Sequence, residues 1–182
     1  MRTEVEFSEF ILTELSSLIN DDELNVAEGK NILTDVTCIY ENGKFELMHG
    51  FSQTDIVIYR ELRIDVQPKN SFIRFYGDAE IRNGLFAVPY VVLELKTGDL
   101  TTDSIRSRDF VAARIKNMFP FSAYFFIAEH TKKEEKTLLR QGKSFTNYFI
   151  SKDSIDSTAF KRIFDNYIQP HINNLKLQLP KL

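Results

Sequence analysis

The chain predicts a mixed α/β (α+β) domain: a mixed β-sheet with helices on its faces. Three observations carry that expectation. Apolar residues at helical spacing open and close the chain, and β-branched and aromatic runs fill much of the interval. A basic helical stretch separates two of the most apolar runs, so the later strand is reached by a helical crossover, as parallel pairing requires. The 182 residues suffice for one domain with a sizeable core, and no repeat, low-complexity stretch or linker divides 1–182.

From Val5 to Ile19, Phe7, Phe10, Ile11, Leu15, Leu18 and Ile19 recur at three and four, which makes an amphipathic first helix. On that helix Glu9 falls on the solvated side and Glu6 at the margin, but Glu14 falls within the apolar stripe. A carboxylate there has a partner or a chemical task, or else reaches water from the end of the stripe. Asn20-Asp21-Asp22-Glu23 closes the helix in an acidic turn. Ile32 to Tyr40 alternates as a strand, Asn42-Gly43 suits a hairpin turn, and Phe45 to Met48 returns. Phe51 to Arg60 is a second β-prone run, with Asp55 heading Ile56-Val57-Ile58-Tyr59.

Residues 64–70 read as a loop, Ser71 to Tyr76 as a short strand, and Asn83-Gly84 as a turn. Val88 to Lys96 is the most apolar strand, and Asp103 or Ser104 caps a helix that runs to about Met118 and stops before Pro120. Ser122 to Ala128 forms another buried strand, Thr131 to Gln141 a lysine-rich surface helix, and Phe145 to Ile150 a short strand. The last helix begins near Ser157, sets Phe160, Ile163, Phe164, Tyr167 and Ile168 on one side, and is ended or kinked by Pro170.

Composition excludes several classes. The one cysteine, Cys38, makes no internal disulfide, and His49, His130 and His171 are too scattered for a zinc pattern. There is no secretory leader or membrane-length apolar run, so a cytoplasmic setting is expected, with no membrane partner. Gly-rich phosphate loops and G-x-S-x-G elbows are also missing. The net charge of −3 hides a division: residues 1–100 carry 9 Lys+Arg against 18 Asp+Glu, and 101–182 carry 14 against 8. An acidic half suited to cations beside a basic half suited to phosphates is compatible with a metal-dependent enzyme acting on a polyanion; an unspecialised dipolar surface would look the same.

Glu94 and Lys96 end the most apolar strand and share a face, because strand side chains alternate with period two. A structural ion pair is one explanation. A second arises if the strand headed by Asp55 is a neighbour, since one Asp, one Glu and one Lys then meet at a single sheet edge. Two carboxylates supply hard oxygen ligands for Mg²⁺, and a lysine can hold a water or stabilise charge on a phosphoryl group.

These residues resemble the PD-(D/E)xK phosphodiesterase superfamily, the restriction-endonuclease-like fold, over residues 5–128. Ser52-Gln53-Thr54-Asp55-Ile56-Val57-Ile58-Tyr59 is similar to an S-x-Q-x-D-[IV]-[IV]-[IV]-Y signature, although Ser52 and Gln53 are adjacent here. Val88 to Thr97 comes close to a [VI]-x-x-[VI]-E-[VL]-K-[TS] motif. The resemblance implies an αβββαβ core, Asp55 and Glu94 as metal ligands, Lys96 as the catalytic lysine, and Glu14 as the glutamate often added from the first helix. It also implies Mg²⁺ or Mn²⁺ as cofactor and DNA as substrate, with RNA left open. The expected function is a metal-dependent nuclease, a restriction or defence endonuclease, and a homodimer if both strands are cut. An inactive nucleic-acid-binding or assembly module of the same fold is the alternative. Thr54 stands where the superfamily name has proline, a harmless departure because that residue only shapes the strand entry; more serious is that 38 residues separate Asp55 from Glu94. Asp78, with 15 intervening residues, is a rival ligand. Arg106, Arg108, Arg114 and Lys116 on the crossover helix are candidate backbone-phosphate contacts, or a solvated helix face.

Overall fold

The computed structural model describes residues 1–41, 44–63, 78–132 and 140–178. The elements are α1 (Glu4–Leu18), β1 (Asn25–Glu28), β2 (Asn31–Glu41), β3 (Lys44–Gln53), β4 (Ile56–Arg63), α2 (Ala79–Arg82), β5 (Leu85–Thr97), α3 (Thr102–Met118), β6 (Ala123–Glu129), β7 (Asn147–Ile150), α4 (Ser157–Ile163) and α5 (Gln169–Gln178). A π-helical turn, Phe164–Ile168, joins α4 to α5.

Five strands form a mixed sheet in the order β1-β4-β5-β6-β7, and β2 and β3 form a separate two-stranded ribbon. Strand β4 is antiparallel to both β1 and β5, whereas β5, β6 and β7 run parallel, with α3 as the crossover from β5 to β6. The apolar runs are explained by this placement, since β5 and β6 are central and buried on both faces. Pro89 is accommodated in β5 beside the register shift between Ile58 and Tyr59 and before pairing with β6 begins at Val91.

Alternate residues divide the core into two layers. Ile56, Ile58, Val91, Leu93 and Leu95 pack with Phe7, Ile11 and Leu15 of α1 and with the C-terminal helices. Val57, Val92, Tyr124 and Phe126 pack with Ile105, Ala112 and Ile115 of α3 on the other face. Threonine N-caps with reciprocal capping boxes start both flanking helices, Thr3 with Glu6 for α1 and Thr101 with Ser104 for α3.

Several expectations change. Strand β1 was not signalled by the sequence; it is four residues long and lies at the sheet edge, too short to show a period. Pro170 does not end the last helix. The π turn widens the spiral just before it, and α5 continues to Gln178. The expected loop at 64–70 and strand from Ser71 to Tyr76 lie outside the described residues, as does most of the expected helix from Thr131 to Gln141.

Candidate active site

Asp55 sits in the two-residue link between β3 and β4, and its placement is set by the backbone. The link is tied down by the Gly29 N–H donating to the Asp55 carbonyl at 3.0 Å and the Thr54 N–H donating to the Lys30 carbonyl at 3.1 Å. Ile56 pairs with Leu93, so Asp55, one residue earlier, is carried to the level of Glu94 on the neighbouring strand. Its Oδ2 accepts a 2.8 Å hydrogen bond from the Leu95 N–H.

Glu94 is 1% exposed, and period two turns it towards α3. Its Oε2 accepts from the Tyr124 hydroxyl at 2.6 Å, since Val92 is aligned with Tyr124 across β5 and β6. Its Oε1 has Arg108 Nε at 2.8 Å but no hydrogen bond, because that N–H does not point along the line to the oxygen. Burial, then the nearby Asp55 charge, pushes the Glu94 carboxyl up to about 8, against the pull of Tyr124 and Arg108. Burial and the Glu94 charge likewise raise the Tyr124 hydroxyl well above the usual phenol range. Two carboxyl groups in this relation share a proton or a cation.

Lys96 is two residues further along β5 and forms an ion pair with Glu4 in the first turn of α1. Glu4, Ser8, Glu28, Asp55 and Arg108 line one cavity of about 140 Å³ at this end of the sheet. Ser8 Oγ is buried there without a hydrogen-bond partner. A larger cleft of about 620 Å³ lies between β7 and α4, but among the described residues no carboxylate lines it. Titratable groups converge on the smaller cavity, which makes it the candidate site.

The structure thus brings Asp55 and Glu94 together, with Lys96 at the same strand end. Glu14 is not among them: it is half-buried, and its Oε1 accepts from Ser157 Oγ at 2.7 Å beside α4. The wheel put Glu14 on the core stripe, but it stands at the seam between α1 and α4; Glu4 is the α1 carboxylate that reaches the site. Asp78 is also elsewhere. It caps α2 through the Ile81 N–H at 3.1 Å and accepts from Asn31 Nδ2 at 3.1 Å. The sequence reading missed Glu4, Ser8, Glu28 and Tyr124. Only Glu4 had a local signal, as an acid in the first turn of a helix.

The four basic residues of α3 are each engaged within the protein. Arg106 donates to Gln141, Arg108 faces Glu94, Arg114 pairs with Asp35, and Lys116 donates to the Ser144 carbonyl. Among the described residues there is no group of three or more His, Cys, Asp or Glu side chains arranged to hold a metal ion. Asp55 and Glu94 nevertheless have the chemistry of a two-carboxylate cation site, because a buried Glu94 oxygen lacks a hydrogen-bond partner and the Asp55 charge acts on the same carboxyl.

No family model matches the chain, and no curated protein is similar to it. Among solved structures, a chain of the native BbvCI A2B2 tetramer, determined at low resolution, matches 81% of this chain with a TM-score of 0.51 and 16% identity. This chain spans 59% of the length of that BbvCI chain. The likeness is one of fold: a restriction-endonuclease-like mixed sheet flanked by helices. Among the described residues no helix is long and apolar enough to cross a membrane.

Proposed function

We propose that this protein is a divalent-metal-dependent nuclease that hydrolyses phosphodiester bonds in DNA. The observation that carries the reading is the apposition of Asp55 and Glu94 at the ends of adjacent strands, with Lys96 one strand repeat beyond Glu94. The BbvCI-like fold supports it. Asp55 and Glu94 would hold Mg²⁺ or Mn²⁺, which supplies Lewis-acid charge at the phosphoryl group and lowers the pKa of a bound water.

The chain's own groups do the rest. Asp55 is oriented by the Leu95 N–H and Glu94 by the Tyr124 hydroxyl, so neither carboxylate has to be ordered when substrate arrives. The Lys96 ammonium, steered by Glu4, donates a hydrogen bond to the charge that builds on the phosphoryl oxygens as a water oxygen forms a bond to phosphorus and the bridging oxygen leaves. One site cuts one strand, so cleavage of both strands calls for a homodimer. Metal dependence, DNA rather than RNA, and a role in restriction or defence all belong to this proposal.

A second reading, an inactive nucleic-acid-binding or assembly module, is favoured by a specific observation: Glu94 and Lys96 are both already engaged by protein partners. One experiment separates the two. Purified protein and Lys96→Ala are incubated with plasmid, linear DNA and RNA, with Mg²⁺, with Mn²⁺ and with chelator. Metal-dependent cleavage of DNA that is lost in Lys96→Ala is expected. Cleavage that survives the substitution unchanged would remove Lys96 from the site. Absence of both cleavage and metal binding would establish the second reading.

A further inference from the structure

Arg108 occupies an unusual position for a helix-surface arginine. Its side chain is 43% exposed, yet its Nε lies 2.8 Å from a carboxylate oxygen of a residue whose side chain is 1% exposed. The contact is a close approach without an aligned hydrogen bond, since Glu94 Oε1 is buried with no hydrogen-bond partner. The other Glu94 oxygen accepts from the Tyr124 hydroxyl. Arg108 lines the same cavity as Asp55, and its side chain is the partly exposed partner of the buried Glu94.

A guanidinium that makes no aligned hydrogen bond, with its long stem partly in water, can move, but the buried carboxyl it faces then needs another cation in its place. Its planar fork matches phosphate better than it matches the single oxygen it now faces. The other basic side chains of α3 are turned to other partners: Arg106 donates to Gln141, Arg114 is paired with Asp35 on β2 and Lys116 is bonded to the loop before β7.

We propose that Arg108 occupies the place beside Glu94 that a divalent ion must take, and that the displaced guanidinium then contacts the substrate phosphate. This rests on the nuclease reading and deepens it. Arg108 becomes both a competitor of the metal and a catalytic residue, so its removal has opposite effects on two measurements. A residue that served only to hold the fold would weaken both.

The test is a direct Mn²⁺ titration of chelator-stripped protein by calorimetry without nucleic acid, followed by single-turnover cleavage of plasmid DNA at saturating Mn²⁺. Wild type, Arg108→Met, Arg108→Lys and Lys161→Met are compared; Lys161 pairs with Asp165 on the C-terminal helices and controls for loss of one positive charge. Arg108→Met is expected to bind Mn²⁺ about tenfold more tightly and to cleave about a hundredfold more slowly. Arg108→Lys should lie between Arg108→Met and wild type in both, and Lys161→Met should match wild type. Unchanged or weaker Mn²⁺ binding by Arg108→Met overturns the proposal, as does tighter binding with wild-type cleavage. Should Arg108→Met fail to fold, Arg108→Lys decides by the same criteria. Failure of wild type itself to bind Mn²⁺ overturns the nuclease reading as well, and that outcome is seen in the wild-type arm alone.

Discussion

The Asp55 carboxylate accepts a hydrogen bond from the backbone N–H of Leu95, the residue between Glu94 and Lys96. The link before β4 is thereby fastened to the strand that carries the other two site residues. A carboxylate held by backbone does not depend on side-chain packing for its position, and this separates its structural contribution from its chemical one.

Asp55→Asn keeps an amide oxygen able to accept from Leu95, so the melting temperature should change by no more than a few degrees. Removing the negative charge takes away half of the proposed cation site, and metal-dependent cleavage should fall by about a hundredfold or more. Asp78→Asn retains a good helix cap and should leave both stability and cleavage close to wild type. A cleavage assay with melting curves on the two variants decides between them; loss of activity in Asp78→Asn alone would restore Asp78 as the ligand.

Stability should depend on pH through Glu94. Its carboxyl titrates at about 8 in the folded protein against 4.5 ordinarily, so the folded state holds a proton that the unfolded chain has released. The contribution is fully present below pH 4.5 and is lost as pH rises through 8, a decline on the order of a few kcal/mol between those limits. Urea denaturation in chelator at pH 5, 6.5 and 8 should show the fall, and Glu94→Gln should flatten it. A profile that rises over this range in the wild type would rule the assignment out.

Glu129 at the end of β6 is fully buried and receives Arg2 through Nε at 3.1 Å and Nη2 at 2.6 Å, while its Oε2 also accepts from the Ile155 N–H at 2.9 Å. Arg2 covers the rings of Phe7 and Phe10, and its carbonyl accepts from Thr97 Oγ1. Arg2→Ala strands a buried carboxylate and should cost about 3 kcal/mol in denaturant unfolding. Because the same clasp holds the start of α1 against β5, the Glu4 contact to Lys96 should loosen with it, visible as a changed Lys96 side-chain NMR signal.

Gly98 follows the site strand with φ of +82°, and its N–H donates to the Glu129 carbonyl at 2.9 Å. A Cβ there meets nothing within 4 Å, so the requirement for glycine is conformational and not steric contact. Gly98→Ala should destabilise by about 1 kcal/mol, with Gly98→Asn costing less because Asn tolerates left-handed backbone. Thermal unfolding of the pair measures the difference, and equal costs would show that something other than φ matters at this turn.

Much of the site was legible because it lies on strands. A run such as Val91-Val92-Leu93 declares a buried strand, and period two then assigns Glu94 and Lys96 to one face without any coordinates. Glu14 shows the limit of the same kind of argument on a helix. The wheel gives its angle correctly, but its neighbour is Ser157, 143 residues away, and no local pattern names that partner. Arg108 was read as one of four equivalent basic residues, yet only α3 packed on the sheet distinguishes the one that faces Glu94 from those that meet Gln141, Asp35 and Ser144.

By itself the sequence determined the mixed α/β class, the crossover through α3 and the placement of Glu94 and Lys96 two residues apart on one strand, because these follow from short-range periodicity and from the chain's need to bury its apolar faces. Only the tertiary structure decided that Asp55 and not Asp78 stands opposite Glu94, that Glu4 and not Glu14 steers Lys96, and that Arg108 and Tyr124 hold the Glu94 carboxylate. Those outcomes depend on strand register and helix docking, which bring together residues tens of positions apart, and such contacts are fixed by the packing of the whole domain.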